Sequence, residues 1–122
     1  NHGKMIRDFT YVDDIVESIT RLIPKLPNPK PQTEKEPPFQ VFNIGNSAPV
    51  ELMQYIEALE KALGKTAKKN FMDIQVGDVP ATHADVSKLE EYVNFRPKTS
   101  VEEGVKRFVE WYLESKKQNS NN

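Results

Sequence analysis

Apolar residues recur every three or four positions in four stretches of the chain, and this spacing predicts four amphipathic helices. Polar residues lie between the apolar ones, so each predicted helix has one face for a core and one face for water. The four stripes consist of Ile15, Ile19, Leu22 and Ile23; of Val50, Met53, Ile56, Leu59 and Leu63; of Leu89, Tyr92 and Val93; and of Val101, Val105, Phe108, Val109 and Tyr112.

Shorter apolar patterns predict a few strands between these helices. Phe9 and Tyr11 alternate with polar residues just before the first helix. Residues 39–44 form an apolar run that ends at a glycine turn, and residues 68–74 are a third candidate. Residues 82–84 are expected to be a brief extended segment that pairs with another strand.

Several residues mark where the predicted helices begin and end. Asp13 or Asp14 is expected to open the first helix, and Pro24 to close it because proline lacks a backbone N–H. Gly64 suits the end of the second helix. Residues 99–102 (Thr-Ser-Val-Glu) fit a capping box, in which the Thr and Glu side chains each bond a free N–H at the start of the last helix.

Two segments lack the apolar residues that a core requires. Residues 24–38 are rich in proline, lysine and glutamate, and this composition predicts an exposed, semi-extended loop. Residues 116–122 are polar and without periodicity, and they predict a disordered tail. We therefore expect one folded unit over residues 1–115, with the proline-rich loop inside it.

Composition narrows the range of functions. The 122 residues are enough for one small domain, and a net charge of -1 gives no reason to expect a nucleic-acid or membrane partner. No apolar run approaches the roughly 20 residues that cross a bilayer. The chain has no cysteine and two histidines, which argues against disulfides, thiolate chemistry and a zinc cluster. These features fit a cytoplasmic protein.

Residues 7–15 read RDFTYVDDI, and this stretch resembles the motif that follows the substrate-binding loop in sugar-nucleotide epimerases of the extended short-chain dehydrogenase/reductase family. Residues 3–5 (GKM) are similar to the same position in the UDP-glucuronate 4-epimerase branch. Residues 41–52 (VFNIGNSAPVEL), 77–85 (GDVPATHAD) and 95–105 (FRPKTSVEEGV) resemble later segments of that branch, in the same order.

The resemblance extends over residues 3–115 and implies an α/β fold class. The chain would be the C-terminal substrate-binding portion of such an enzyme, with about four helices, a few short strands and no Rossmann core. The implied function is UDP-sugar binding in an NAD-dependent epimerase, an isomerase that interconverts UDP-glucuronate and UDP-galacturonate at C4. The full-length enzyme would be a homodimer, and its missing N-terminal half would bind NAD.

Arg7 and Asp78 are the first two substrate-binding residues that the resemblance implies. The family's matching arginine contacts the nucleotide diphosphate, and a planar, permanently charged fork suits paired phosphate oxygens. The alternative for Arg7 is a surface ion pair with Asp8 or Asp78. The acid that matches Asp78 accepts hydrogen bonds from ribose hydroxyls in relatives, and the alternative is a turn residue after Gly77.

Gln75 and Thr82 complete the implied substrate-binding set. Many relatives have arginine at the position of Gln75, where it contacts phosphates; glutamine keeps an N–H donor without the charge. Thr82 lies where several relatives place a residue near the sugar, so it is a candidate specificity position.

The chain lacks the residues that complete epimerase chemistry needs. Residues 45–47 (Gly-Asn-Ser) do not have the G-x-G-x-x-G spacing of a dinucleotide site, and Tyr55 has Leu59 where a catalytic lysine would stand. We expect no catalytic, cofactor-binding or metal-binding residues, and no activity from this chain alone. The alternative is a stand-alone, non-catalytic binding or protein-interaction module, which the missing fingerprint and the exposed loop at 24–38 would suit.

Overall fold

The computed structural model describes residues 1–25 and 39–119, and it confirms four helices with a small sheet. Strand β1 pairs antiparallel with strand β2, with Ile6 opposite Glu51 and Arg7 opposite Val50. The elements in chain order are β1 (Ile6–Arg7), α1 (Val12–Leu22), a 3-10 turn (Ile23–Lys25), β2 (Val50–Glu51), α2 (Leu52–Leu63), α3 (Ser87–Val93) and α4 (Val101–Asn119).

The main apolar core lies between α2 and α4. Val101, Val105 and Val109 recur at helical spacing, so they share one face of α4, and all three are buried. Side chains of α2, Leu59 among them, pack against this row. Phe9 covers one end of the cluster, and its ring stacks on that of Tyr55 with 4.2 Å between the centroids.

Helix α1 turns a polar side toward the rest of the molecule. Asp14 and Ser18 are its buried residues, and the Ser18 hydroxyl donates to the Asp14 carbonyl oxygen at 2.7 Å. The Asp14 carboxylate Oδ2 accepts the backbone N–H groups of Lys98 at 3.1 Å and Thr99 at 2.9 Å. Asp14 therefore lies in the first turn of α1 without capping it, and its carboxylate fastens α1 to the segment that leads into α4.

The predicted apolar stripe of α1 is covered only in part, since Ile15 and Leu22 are half-buried whereas Ile19 and Ile23 are exposed. Val12 and Ile23 are each 60% exposed, and Val16 and Ile19 are also exposed. We call these four residues the α1 apolar face. The prediction is wrong for Ile19 and Ile23 because no part of residues 1–25 or 39–119 packs over this side of the helix.

The predicted strands differ most from the structure. The first strand lies at β1, before Phe9, and Val50 belongs to β2 instead of opening α2. Residues 39–44 and 68–74 have no strand structure, because a strand requires a ladder of bonds to a neighbouring backbone. For residues 68–74, the described part of the chain provides such a backbone bond, from the His2 N–H to the Met72 carbonyl at 2.8 Å. Pairing near residue 82 does occur, as one parallel bridge between Ile6 and Ala81.

One predicted helix end holds, at Gly64, whereas α1 begins at Val12 and not at Asp13 or Asp14, and the cap of α4 is shifted by one residue. Gly64 ends α2 in the left-handed conformation with φ of +64°, as its position predicts. At α4, the hydroxyl of Ser100 accepts the Glu103 N–H at 3.2 Å, whereas the N–H of Thr99 is committed to Asp14. Ser100, not Thr99, is therefore the capping residue.

The structure describes only part of the two segments that the sequence predicts to lie outside the core, residues 24–38 and 116–122. Helix α4 continues through Asn119, so residues 116–119 are helical where the sequence predicts a disordered tail. Basic residues in this last turn suit the negative end of the helix dipole. Pro24 and Lys25 close the 3-10 turn after α1, and the rest of the proline-rich loop (26–38), like residues 120–122, lies outside the described residues.

Candidate functional site

Residues 78–84 run beside β1 and bring together three of the four predicted site residues. The backbone N–H of Ile6 donates to the carbonyl of Pro80 at 2.9 Å, and the N–H of Thr82 donates to the carbonyl of Ile6 at 3.1 Å. These two bonds form the parallel bridge at Ala81. Arg7, Asp78 and Thr82 therefore lie on two adjacent lengths of backbone, although they are far apart in sequence.

Arg7 and Asp78 form an ion pair, one of the two pairings predicted as the alternative to ligand binding. Arg7 Nη2 lies 2.7 Å from Asp78 Oδ1, and Arg7 Nη1 donates to the Ile6 carbonyl at 2.9 Å. The Arg7 side chain is 22% exposed and that of Asp78 45%. The predicted pairing of Arg7 with Asp8 does not form, because the Asp8 carboxylate bonds other backbone groups.

The Arg7 guanidinium keeps N–H donors that the ion pair does not occupy. A guanidinium has five N–H donors in a fixed plane, and the described contacts use one at each terminal nitrogen. An exposed ion pair is worth about 0–1 kcal/mol, so stability alone is a weak reason for this arrangement. The pair holds the plane of the arginine in a set orientation at a half-exposed position, as binding of a diphosphate would require.

Asp78 is also a turn residue, so both roles weighed for it remain compatible. Its backbone N–H donates to the Gln75 carbonyl at 3.1 Å, and Gly77 has φ of +90°, which favours glycine. Asp78 Oδ1 accepts the N–H of Val79 at 2.8 Å in addition to Arg7. The turn thereby fixes the carboxylate, and Oδ2 has no hydrogen bond to any residue in the ranges 1–25 and 39–119.

The four predicted residues do not share one cavity. Gln75 and Asp78 line a cavity of about 880 Å³ between α2 and residues 65–75, whose wall is mainly apolar. Thr82 lines a separate polar cavity of about 250 Å³, together with Asp8 and neighbouring polar residues. The wall of the large cavity is mainly apolar but also carries Lys65, Lys68 and Lys69, so its cations lie on the side away from Arg7 and Thr82, which are not among its lining residues. The polar groups along residues 75–82 are the better candidate site.

Thr82 has a structural contact that its sequence position does not predict. Its hydroxyl oxygen accepts the backbone N–H of Asp8 at 3.2 Å, which draws the start of the Thr82–Ala84 segment against β1. The next residue, His83, has Nε2 3.3 Å from the Ser47 hydroxyl. The side chains of Thr82 and His83 both line the small polar cavity.

Asp8 is the residue at this site that sequence reasoning missed. Its Oδ2 accepts the backbone N–H groups of Ser47 at 3.0 Å and Ala84 at 2.9 Å. The available signal was a carboxylate that follows Arg7 directly within an otherwise apolar and aromatic alternation. Its partners could not be found that way, because they are 39 and 76 positions away in the chain.

The glycine turn at residues 45–47 does not fit a dinucleotide site. A Cβ on Gly45 would lie 2.4 Å from the Cβ of Ala84 and 3.2 Å from Asp8 Oδ2. Glycine is therefore required at position 45 because Ala84 and Asp8 pack against its backbone. The space beside this turn is occupied by the chain itself, so the turn does not form a pyrophosphate-binding site.

Two other kinds of site can be addressed for the part of the chain that the structure describes. Residues 1–25 and 39–119 contain no group of three or more His, Cys, Asp or Glu side chains placed to hold a metal ion. Within the same ranges, none of the helices combines the length and the apolar character needed to span a membrane.

Comparisons with known proteins relate this arrangement to enzymes of known chemistry. No family model matches the chain. Protein CapI of Staphylococcus aureus is 51% identical over 122 residues, which covers 93% of this chain and 36% of that protein. A Rhizobium meliloti (strain 1021) protein named "Probable UDP-glucuronate 4-epimerase" is 49% identical over 119 residues, which covers 90% of this chain and 35% of that protein.

A solved structure shares the fold as well. The UDP-glucuronic acid 4-epimerase from Bacillus cereus, in complex with UDP-glucuronic acid and NAD, superposes with a TM-score of 0.70 at 29% identity. The match covers 90% of this chain and 33% of that one, so the chain spans about a third of the length of the proteins it matches. Sequence and fold together show that the chain belongs to the sugar-nucleotide epimerases of the extended short-chain dehydrogenase/reductase family and matches their C-terminal portion.

Proposed function

We propose that this chain is the UDP-sugar-binding part of an NAD-dependent epimerase that interconverts UDP-glucuronate and UDP-galacturonate at C4. The observation that carries the proposal is the Arg7–Asp78 pair, held at the junction of β1 and the 78–84 segment with 2.7 Å between its charged atoms. Similarity to a protein named as a UDP-glucuronate 4-epimerase supports the choice of sugar.

Each residue of the site has a part that its chemistry suits. Arg7 would bind the diphosphate through its remaining guanidinium N–H groups. Asp78 would accept hydrogen bonds from ribose hydroxyls with its second carboxylate oxygen. Gln75 would donate its amide N–H to a phosphate oxygen, and Thr82 would lie near the sugar and influence which sugar is accepted.

NAD and the acid–base residues would belong to the part of the protein outside this chain. The turn at Gly45 is filled by Ala84 and does not fit the cofactor, so we assign no cofactor contact to residues 1–122. The full-length protein would act in the cytoplasm as a homodimer.

The first test is a panel assay on the full-length protein with UDP-glucuronate, UDP-glucose and dTDP-glucose. We expect UDP-galacturonate to form from UDP-glucuronate, and little conversion of the other two. The 122-residue chain with added NAD should form no UDP-galacturonate, and detectable product from it would contradict the division of roles. A full-length protein that neither binds UDP nor converts any of these sugars would instead favour a non-catalytic binding module.

A further inference from the structure

Asp8 lies where three separate lengths of backbone meet. Through Oδ2 it accepts the N–H of Ser47, in the turn before β2, and the N–H of Ala84, at the end of the 78–84 segment. Its own backbone N–H donates to the hydroxyl of Thr82. This one residue, directly after β1, thus holds both the glycine turn and the sugar-side end of the proposed binding segment.

The 78–84 segment is fixed at both ends by neighbouring residues. Arg7 holds one end through the carboxylate of Asp78, and Asp8 holds the other through the N–H of Ala84. The backbone of Ile6 bonds to the middle of the segment. If the contact of Asp8 is removed, the Thr82–Ala84 end should loosen while the Asp78 end stays in place.

The surroundings of Asp8 carry features that stability alone does not favour. Ser47 has φ of +54°, a left-handed conformation that a non-glycine residue adopts at a cost, and its N–H is held by Asp8. The other carboxylate oxygen, Oδ1, is buried and has no hydrogen-bond partner among the described residues. Strain and unpaired buried polar atoms are retained where they serve a function more often than by chance.

We propose that Asp8 is a positioning residue that sets the sugar-side end of the UDP-sugar site by fixing Thr82 and Ala84 relative to Arg7. This inference rests on the proposed function and extends it from substrate binding to substrate discrimination. It predicts a specific effect: loosening the Thr82–Ala84 end should impair recognition of the sugar and leave recognition of UDP, held by Arg7 and Asp78, nearly unchanged.

The test compares Asp8→Asn with Asp14→Asn in the full-length protein. Asp14 is a matched control because one of its carboxylate oxygens also accepts two backbone N–H groups, at 3.1 and 2.9 Å, and it lies away from the 78–84 segment. Affinities for UDP and UDP-glucuronate are measured by calorimetry, melting temperatures by scanning fluorimetry, and amide exchange of residues 82–84 by mass spectrometry.

For Asp8→Asn we expect at least about a tenfold loss of affinity for UDP-glucuronate, the scale of one charge-assisted hydrogen bond, with UDP affinity within about twofold of wild type. Amide exchange at residues 82–84 should become faster. Asp14→Asn should lower the melting temperature by a similar amount without changing the ratio of the two affinities. Equal ratios in the two variants would overturn the proposal and leave Asp8 with a purely structural role.

A second variant covers the case in which Asp8→Asn does not fold. Ser47→Gly removes the penalty of the left-handed conformation, so Asp8→Asn combined with Ser47→Gly should fold and still show the altered ratio. If the double variant also fails to fold, Asp8 is needed for the fold itself and the proposal is overturned. Failure of the proposed function is a separate result, because then the wild-type protein would not bind UDP at all.

Discussion

At the scale of single residues, Arg7 combines a structural contact with the chemistry of a ligand site. Its two terminal nitrogens bond a backbone carbonyl and the Asp78 carboxylate, which restricts the side chain before any ligand arrives. A side chain that is already oriented loses less conformational entropy on binding. A larger share of the free energy of each hydrogen bond then contributes to affinity.

The first prediction concerns the charge and shape of Arg7. Arg7→Ala in the full-length protein should weaken UDP binding by about 1.5–3 kcal/mol, the range for hydrogen bonds to charged groups. Arg7→Lys should recover only part of this loss, because lysine keeps the charge without the planar fork. Calorimetry with UDP measures both, and unchanged affinity in Arg7→Ala would exclude a phosphate role for this residue.

The second prediction separates the nucleotide end of the site from the sugar end. Asp78→Asn should weaken UDP and UDP-glucuronate by the same factor, since ribose is common to both ligands. Thr82→Val should leave UDP affinity nearly unchanged and alter the preference between UDP-glucuronate and UDP-glucose. A binding matrix of the two variants against the three ligands decides this, and an Asp78→Asn protein with normal UDP affinity would reduce Asp78 to a turn residue.

At the scale of elements, Glu60 ties the end of α2 to the segment that follows. It forms an ion pair with Lys69, and its Oε1 also accepts the Ala67 N–H at 2.7 Å. The hydrogen bond from Lys69, followed by that from Ala67, lowers the pKa of Glu60 below its ordinary value of 4.5. Because both contacts favour the charged carboxylate, the link should depend on pH.

The third prediction follows from the sign of this pKa shift. A carboxylate with a lowered folded-state pKa stabilises the fold above pH 4.5, and this contribution disappears as the pH falls below 4.5 through the folded-state pKa. Glu60→Gln should therefore unfold at lower urea concentration than wild type at pH 7, with the difference shrinking below pH 4.5. Glu57→Gln, an exposed position on the same helix, is the control and should unfold at the same urea concentration as wild type at pH 7.

At the scale of the whole molecule, exposed apolar residues indicate a surface that another polypeptide covers. Besides the α1 apolar face, Phe39 is 64% exposed and Val41 is 71% exposed. Large exposed apolar surfaces mark interaction sites or aggregation risks. Since the chain spans only about a third of its relatives' length, we expect the remainder of the full-length protein to pack here.

The fourth prediction tests that surface. Val16→Ser combined with Ile19→Ser should reduce self-association of the 122-residue chain, measured by light scattering, because it removes apolar contact area from the surface. The same pair should lower the melting temperature of the full-length protein, where the face is expected to be buried. Leu113→Ser on exposed α4 surface is the control and should do neither. If the double variant does not lower the melting temperature of the full-length protein, the α1 apolar face is exposed to water there too.

Sequence alone determined the features that depend on local spacing and on motif order. Periodicity predicts the four helices. The end of α2 at Gly64 is also predictable, because the left-handed backbone conformation that ends a helix depends on the local residue type. The order of motifs from residue 3 to 105 placed the chain in its family, and the comparisons confirm that placement. The ligand roles of Arg7, Gln75, Asp78 and Thr82 stay predictions.

Only the tertiary structure decided which distant groups meet. A strand needs a partner backbone, so periodicity could not show that β1 lies at Ile6–Arg7 or that residues 39–44 pair with no described segment. An amphipathic stripe shows that a helix has an apolar side, but neighbouring elements decide how far that side is covered, and in α1 the described residues cover it only in part. The partners of Asp8 are distant in sequence, and folding alone brings their N–H groups to one carboxylate.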